Sequence, residues 1–125
     1  MNPLTQLRRD LAMLVKDFVA DAYAFVPDSV NSLTACVRPG MPYIDHHATF
    51  DASNVNLEVL FLVPKLAAED WQETLDSLLA DDSIAQAIET DPRFQTGPVT
   101  GWGVITINDG DVFYGSAVLP VSVFL

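Results

Sequence analysis

Apolar side chains recur at three- and four-residue steps through Leu4, Leu7, Leu11, Leu14, Val15, Phe18 and Val19, while Arg8, Arg9, Lys16 and Asp17 fall mostly between them. That period puts one greasy stripe on a helix, so residues 4–20 are expected to form an amphipathic α-helix. Tyr23-Ala24-Phe25-Val26 fits a brief strand that Pro27-Asp28-Ser29 stops, because proline lacks the ladder donor and Asp-Ser favours a turn. Leu33 to Val37 reads as a second strand, ended by Arg38-Pro39-Gly40. From Met41 to Asn54 aromatic, acidic and histidine residues mix without a clean period, as in a loop or a long hairpin. Leaving Tyr43, Ile44 and Phe50 in water would cost about 1.5–3 kcal/mol for each large side chain, so they call for a partner surface.

From Val55 to Val63 every odd position is apolar, and Leu60 and Leu62 make the other face greasy as well, which marks a central strand ended by Pro64. Helical spacing resumes over Ala67 to Ala80, with Trp71, Leu75, Leu78 and Leu79 on one side and the acids Glu69, Glu73 and Asp76 on another. Asp82 or Ser83 can cap a short third helix carrying Ile84, Ala87 and Ile88, which Asp91-Pro92 closes. The last third reads as a hairpin: Trp102 to Ile107, a turn at Asn108-Asp109-Gly110-Asp111, then Val112 onward to Leu125. Placing Asp109-Gly110 at the tip pairs Ile107 with Val112 and Ile105 with Tyr114, and sets Phe113, Ala117, Leu119, Val121 and Val123 on the core face. Pro120 argues for a partial edge.

These elements add up to an α+β chain with one domain over residues 1–125. It has a mostly antiparallel sheet, an N-terminal amphipathic helix, and one or two further helices on one face. Composition agrees, since half of the 125 residues are apolar and 18% are charged, well outside the disordered regime. No repeat, low-complexity tract or long linker divides the chain.

The net charge of -11 removes the cationic footprint expected of a protein that grips nucleic acid. Most of the imbalance lies in residues 43–92, where Lys65 stands alone against a run of acids. No uninterrupted apolar stretch resembles a signal peptide or a membrane span, which points to the cytoplasm or a particle assembled there.

The chemistry-bearing candidates are few. Asp45-His46-His47 with Asp51 is the one cluster suited to metal or acid/base work, but neighbouring residues of an extended segment point to opposite faces. The usual ligand spacings are missing, so a solvated loop is the expectation. Cys36 in an apolar strand reads as a small buried hydrophobe rather than a nucleophile. The glycine-rich stretch Thr96 to Gly103 has neither a Walker lysine nor a following helix. The acids from Glu69 to Asp91 lack the spacing of a calcium loop. No catalytic constellation, cofactor or metal is therefore expected.

The order of elements resembles the tail terminator family of long-tailed bacteriophages and its head-to-tail connector relatives. The matching pieces are Leu4 to Ala20, Tyr23 to Ser29, Asn56 to Pro64, Trp71 to Leu79, and Gly103 to Ile107 leading to Phe113 to Val118. The resemblance implies a virion protein, assembled in the host cytoplasm, that forms a ring, usually of six copies, on the finished tail tube. Such a ring stops tube elongation and offers a face to the head connector, with DNA passing through unbound. Its implied partners are copies of itself, the tail tube protein and the connector or stopper protein.

A closed ring needs two different patches on each chain. The candidates are the uncharged C-terminal strand, with Val118, Val121, Val123 and Phe124, and the segment containing Met41, Tyr43, Ile44 and Phe50. Asp45, Asp51, Glu69, Glu73 and Asp76 are candidates for an acidic bore that repels phosphate. A small acidic inhibitor or immunity-type protein would use the same carboxylates to steer onto a basic enzyme, and another neck or tail tube component is the nearest structural alternative.

Overall fold

In a computed structural model, which describes residues 3–47, 52–64 and 68–124, the N-terminal stripe forms helix α1 (Pro3–Val15). Leu7, Leu11 and Val15, one turn apart, are all buried against the sheet. The chain then tightens into a 3-10 turn at Lys16–Phe18, so the α-helix is shorter than its apolar period suggested. The remaining elements in order are β1 (Asp21–Tyr23), β2 (Thr34–His47), β3 (Ala52–Pro64), α2 (Ala68–Leu79), α3 (Ser83–Glu89), β4 (Phe94–Thr96), β5 (Thr100–Ile105) and β6 (Tyr114–Phe124).

The strands form one six-stranded sheet in the order β1-β2-β3-β6-β4, with β5 also on β6. Only the β1/β2 pair is parallel. Val55, Leu57, Val59, Phe61 and Val63 face the helices and pack with Leu7, Leu11, Val15, Trp71, Leu75, Ile84 and Ile88. Leu60 and Leu62 point the other way into a smaller core with Val30, Cys36, Ile107, Tyr114 and Val118. The double greasiness of β3 therefore has a structural reason: helices cover one face, and the segment before β2 with the turn before β6 covers half of the other.

Several boundaries differ from the sequence reading. The first strand lies at Asp21–Tyr23 and not at 23–26, and its parallel register (Asp21↔Thr34) sets it on the edge. Pro39-Gly40 does not end β2. The register slips between Pro39 and Ile44, and Gly40 to Tyr43 bulge outward opposite Asn56 alone. Asn56 Nδ2 ties that bulge by donating to Pro42 O at 2.8 Å. A Cβ on Gly40 would meet Asn56 O at 2.9 Å, so only glycine fits the approach.

The C-terminal hairpin closes one residue early. Gly110 N donates to Ile107 O at 2.9 Å, and Asn108 and Asp109 carry the positive φ values of 50° and 57°. Ile105 does pair with Tyr114, but residues 110–113 stay outside the ladder, and Phe113 is exposed rather than in the core. Pro120 is not on an edge: β3 pairs along the whole of β6, and on the other side β5 ends at Val118 where β4 begins at Val121. The carbonyl of Pro120 accepts from Gly97 N on that side, so its missing N–H falls at the handover and costs β3 no bond. Asp82 stands at the N-cap of α3 as expected, but its side chain makes no capping bond; the Asp81 carboxylate accepts from Ser83 N at 3.0 Å instead. That bond holds the Asp81 carboxyl below its usual range.

Candidate functional site

Of the chemistry candidates, Cys36 has a described side chain and the His46/His47 cluster does not. Cys36 is fully buried, its Sγ donates to Leu60 O at 3.7 Å, and burial pushes the thiol up to about 12. His46 and His47 lie in β2 opposite Ser53 and Ala52, and their side chains lie outside the described residues, as do those of Asp45, Asp51 and Glu69. Among the described residues no group of three or more histidines, cysteines or acids could hold a metal ion. A depression of about 680 Å³ is lined by Leu33, Asp70, Glu73, Thr74, Ser77 and Leu78, with carboxylates but no base among them. None of the described helices is long and apolar enough to cross a membrane.

The proposed interface residues divide. Val118, Val121 and Val123 are buried in the chain's own two cores, because β6 is an interior strand, and so offer no surface to a partner. Tyr43 and Ile44 are half-buried against the main core; Arg8 Nη2 donates to Tyr43 Oη at 2.9 Å and the guanidinium lies over its ring. Tyr43 thus meets Arg8 on α1 of the same chain, and Ile44 packs on the chain's own core. Met41 is different: the bulge pushes it out to 95% exposure. Phe50 and the side chain of Phe124 lie outside the described residues. Glu73 and Asp76 are exposed on α2.

Exposed apolar side chains gather instead at the two ends of the strand order, at positions the sequence reading passed over. Beside β1, Arg9, Ala12 and Met13 of α1 and Lys16 of the 3-10 turn, with Ala22, Tyr23, Ala24 and Phe25, enclose a groove of about 480 Å³. Met13 is 60% and Phe25 61% exposed. At the opposite end Trp102 and Val104 of β5 and Val99 just before it are exposed; the turn before β6, which Asn108 ties to Pro27, holds out Val112 at 61% and Phe113 at 56%. Trp102 is pinned by Trp71, ring centroids 5.6 Å apart. A sequence signal existed for the first patch: Arg9 and Met13, one turn apart, share the side of α1 away from the Leu7/Leu11 stripe, and Met13 is apolar where the polar face should run.

Charge distinguishes the groove from the turn. Arg38 pairs with Glu58 at 2.8 Å, Arg93 with Asp10 at 2.9 Å and Asp91 at 2.6 Å, and Arg8 with the Tyr43 hydroxyl. Arg9 and Lys16 are the cations left without a partner among the described residues, and both rim the α1/β1 groove. The turn before β6 carries Asp109 and Asp111 beside its exposed Val112 and Phe113.

No family model matches the sequence, and no curated protein matches it. Among solved structures the chain is similar to the gp17 protein of bacteriophage SPP1, at 14% identity and a TM-score of 0.38 over 95% of this chain and 85% of that one.

Proposed function

We propose that this chain is a structural, non-enzymatic assembly protein of a phage virion, and within that class a tail terminator: a ring subunit that caps the tail tube, halts its growth and presents a face to the head connector. The observation that carries this reading is the pair of dissimilar apolar patches at opposite ends of one sheet, beside β1 and along β5. Large apolar patches on a small chain mark contact surfaces, and two unlike patches on opposite sides are what a head-to-tail ring requires. The sequence resemblance to the terminator family supplies the specific role. In this reading the exposed acids of α2, Glu73 and Asp76 among them, turn toward the bore and let DNA pass without sticking.

Tail tube growth followed by electron microscopy tests the role. Adding the purified chain should arrest elongation and leave a ring at one tube end, whereas tubes that grow on without end density would refute it. A one-to-one complex with a basic enzyme and no tube binding would favour the inhibitor reading that the net charge of -11 also allows.

A further inference from the structure

We propose that the α1/β1 groove is the socket for the Asp109–Phe113 turn of a second copy of this chain, so that each subunit plugs its neighbour head to tail. The inference deepens the ring reading and rests on it. Its first support is charge. In a chain of net charge -11 the two unpartnered described cations, Arg9 and Lys16, both line the helical wall of an apolar groove. Such a groove selects an occupant with apolar side chains and carboxylates together. The turn offers that combination, with Val112 and Phe113 mostly exposed and Asp109 and Asp111 on the same few residues.

The second support is that the turn does not fill its own groove. Asn108 Nδ2 donates to Pro27 O at 2.9 Å and Gly110 N to Ile107 O at 2.9 Å, which ties the turn beside Asp28 and Ser29, and it leaves Val112 and Phe113 exposed and outside the groove's lining. It is thus a preformed plug, which lowers the ordering cost of docking. Because groove and plug are different surfaces, the contact is heterologous, and repetition closes into a ring or runs on as a filament.

Raising salt alone would screen both the attraction at the socket and the repulsion between whole subunits, so a matched charge reversal is the cleaner probe. One variant carries Arg9→Glu and Lys16→Glu, the other Asp109→Lys and Asp111→Lys; all four side chains are at the surface, and thermal melts confirm that each variant folds. Each alone juxtaposes like charges at the socket and should assemble at least about tenfold more weakly than the unaltered chain. Mixing the two should restore assembly as alternating subunits, although both remain net negative. A second measurement needs no charge change: Met13→Cys and Phe113→Cys chains should form an oxidised interchain dimer when mixed and not when separate, with buried Cys36 silent.

Variants that assemble like the unaltered chain, or a mixture that stays as single chains while the unaltered protein forms rings, would overturn the socket and leave the ring standing. An unaltered chain that stays single at all concentrations and at tube ends would overturn both.

Discussion

The indole of Trp71 occupies the space that a side chain on Gly115 would fill: a Cβ there would lie 2.4 Å from Cε3 and 2.5 Å from Cδ2. Gly115 stands in β6 between Val63 of β3 and Val104 of β5, so a missing side chain on an interior strand lets α2 set its largest residue directly on the sheet. Trp71 in turn braces the exposed Trp102. Gly115→Ala should therefore destabilise the fold by about 1–3 kcal/mol, as overpacking does. It should also change the near-ultraviolet circular dichroism of the tryptophan pair. A melt and spectrum like those of the unaltered chain would show that Trp71 has room to move.

Val121 tests the division between core and contact surface. It is 1% exposed and belongs to the helix-side core. Val121→Ala should lower the unfolding free energy of the single chain by about 1–3 kcal/mol, in the range for emptying part of a packed core. It should leave the socket chemistry untouched, which chemical denaturation and the Cys-pair trapping read separately.

Arg93 joins α1 to the turn after α3 through Asp10 and Asp91. Its guanidinium holds the Asp91 carboxyl below the ordinary value of 3.8. A depressed carboxyl contributes stability above its unfolded value, and that contribution is lost as pH falls through the lower folded value. Arg93→Ala should then cost about 1 kcal/mol or less at neutral pH, since the pair is solvent-facing, and should flatten the loss of stability below about pH 4. Urea titrations from pH 7 to pH 2 measure both.

Cys36 gives a dependence of the opposite sense. Burial raises its thiol from 9.0 to about 12, so the folded chain keeps the proton where the unfolded chain has lost it. Its contribution is intact below pH 9 and disappears as pH climbs from there toward 12. Cys36→Ala should remove that part of the alkaline loss. In the unaltered chain a thiol reagent at pH 8 should react only at the rate of opening.

Much of this architecture can be read from periodicity alone, because burial on one face writes a period into the chain. The odd residues of β3, the Leu7/Leu11 stripe and the Ile105↔Tyr114 pair are all legible this way. The illegible parts are held by groups distant in sequence. β4 is three residues, Phe94–Thr96, too short to show a period; it exists because Val121 to Val123 pair with it, and because Glu89 accepts from the Thr96 hydroxyl and backbone N. The β2 bulge depends on Asn56, and the interior place of Pro120 on the handover from β5 to β4. The apolar margins themselves were expected, but their positions were not. An uncharged strand such as β6 is as consistent with a buried interior as with a contact face, and only the strand order separates the two.

Native mass spectrometry of the unaltered chain across a concentration series addresses the self-assembly claim most directly. The account predicts a single discrete closed oligomer that grows at the expense of single chains, with Met13 of each subunit against Phe113 of the next. Single chains at every concentration and in the presence of tail tubes, or a symmetric dimer as the end state, would contradict it.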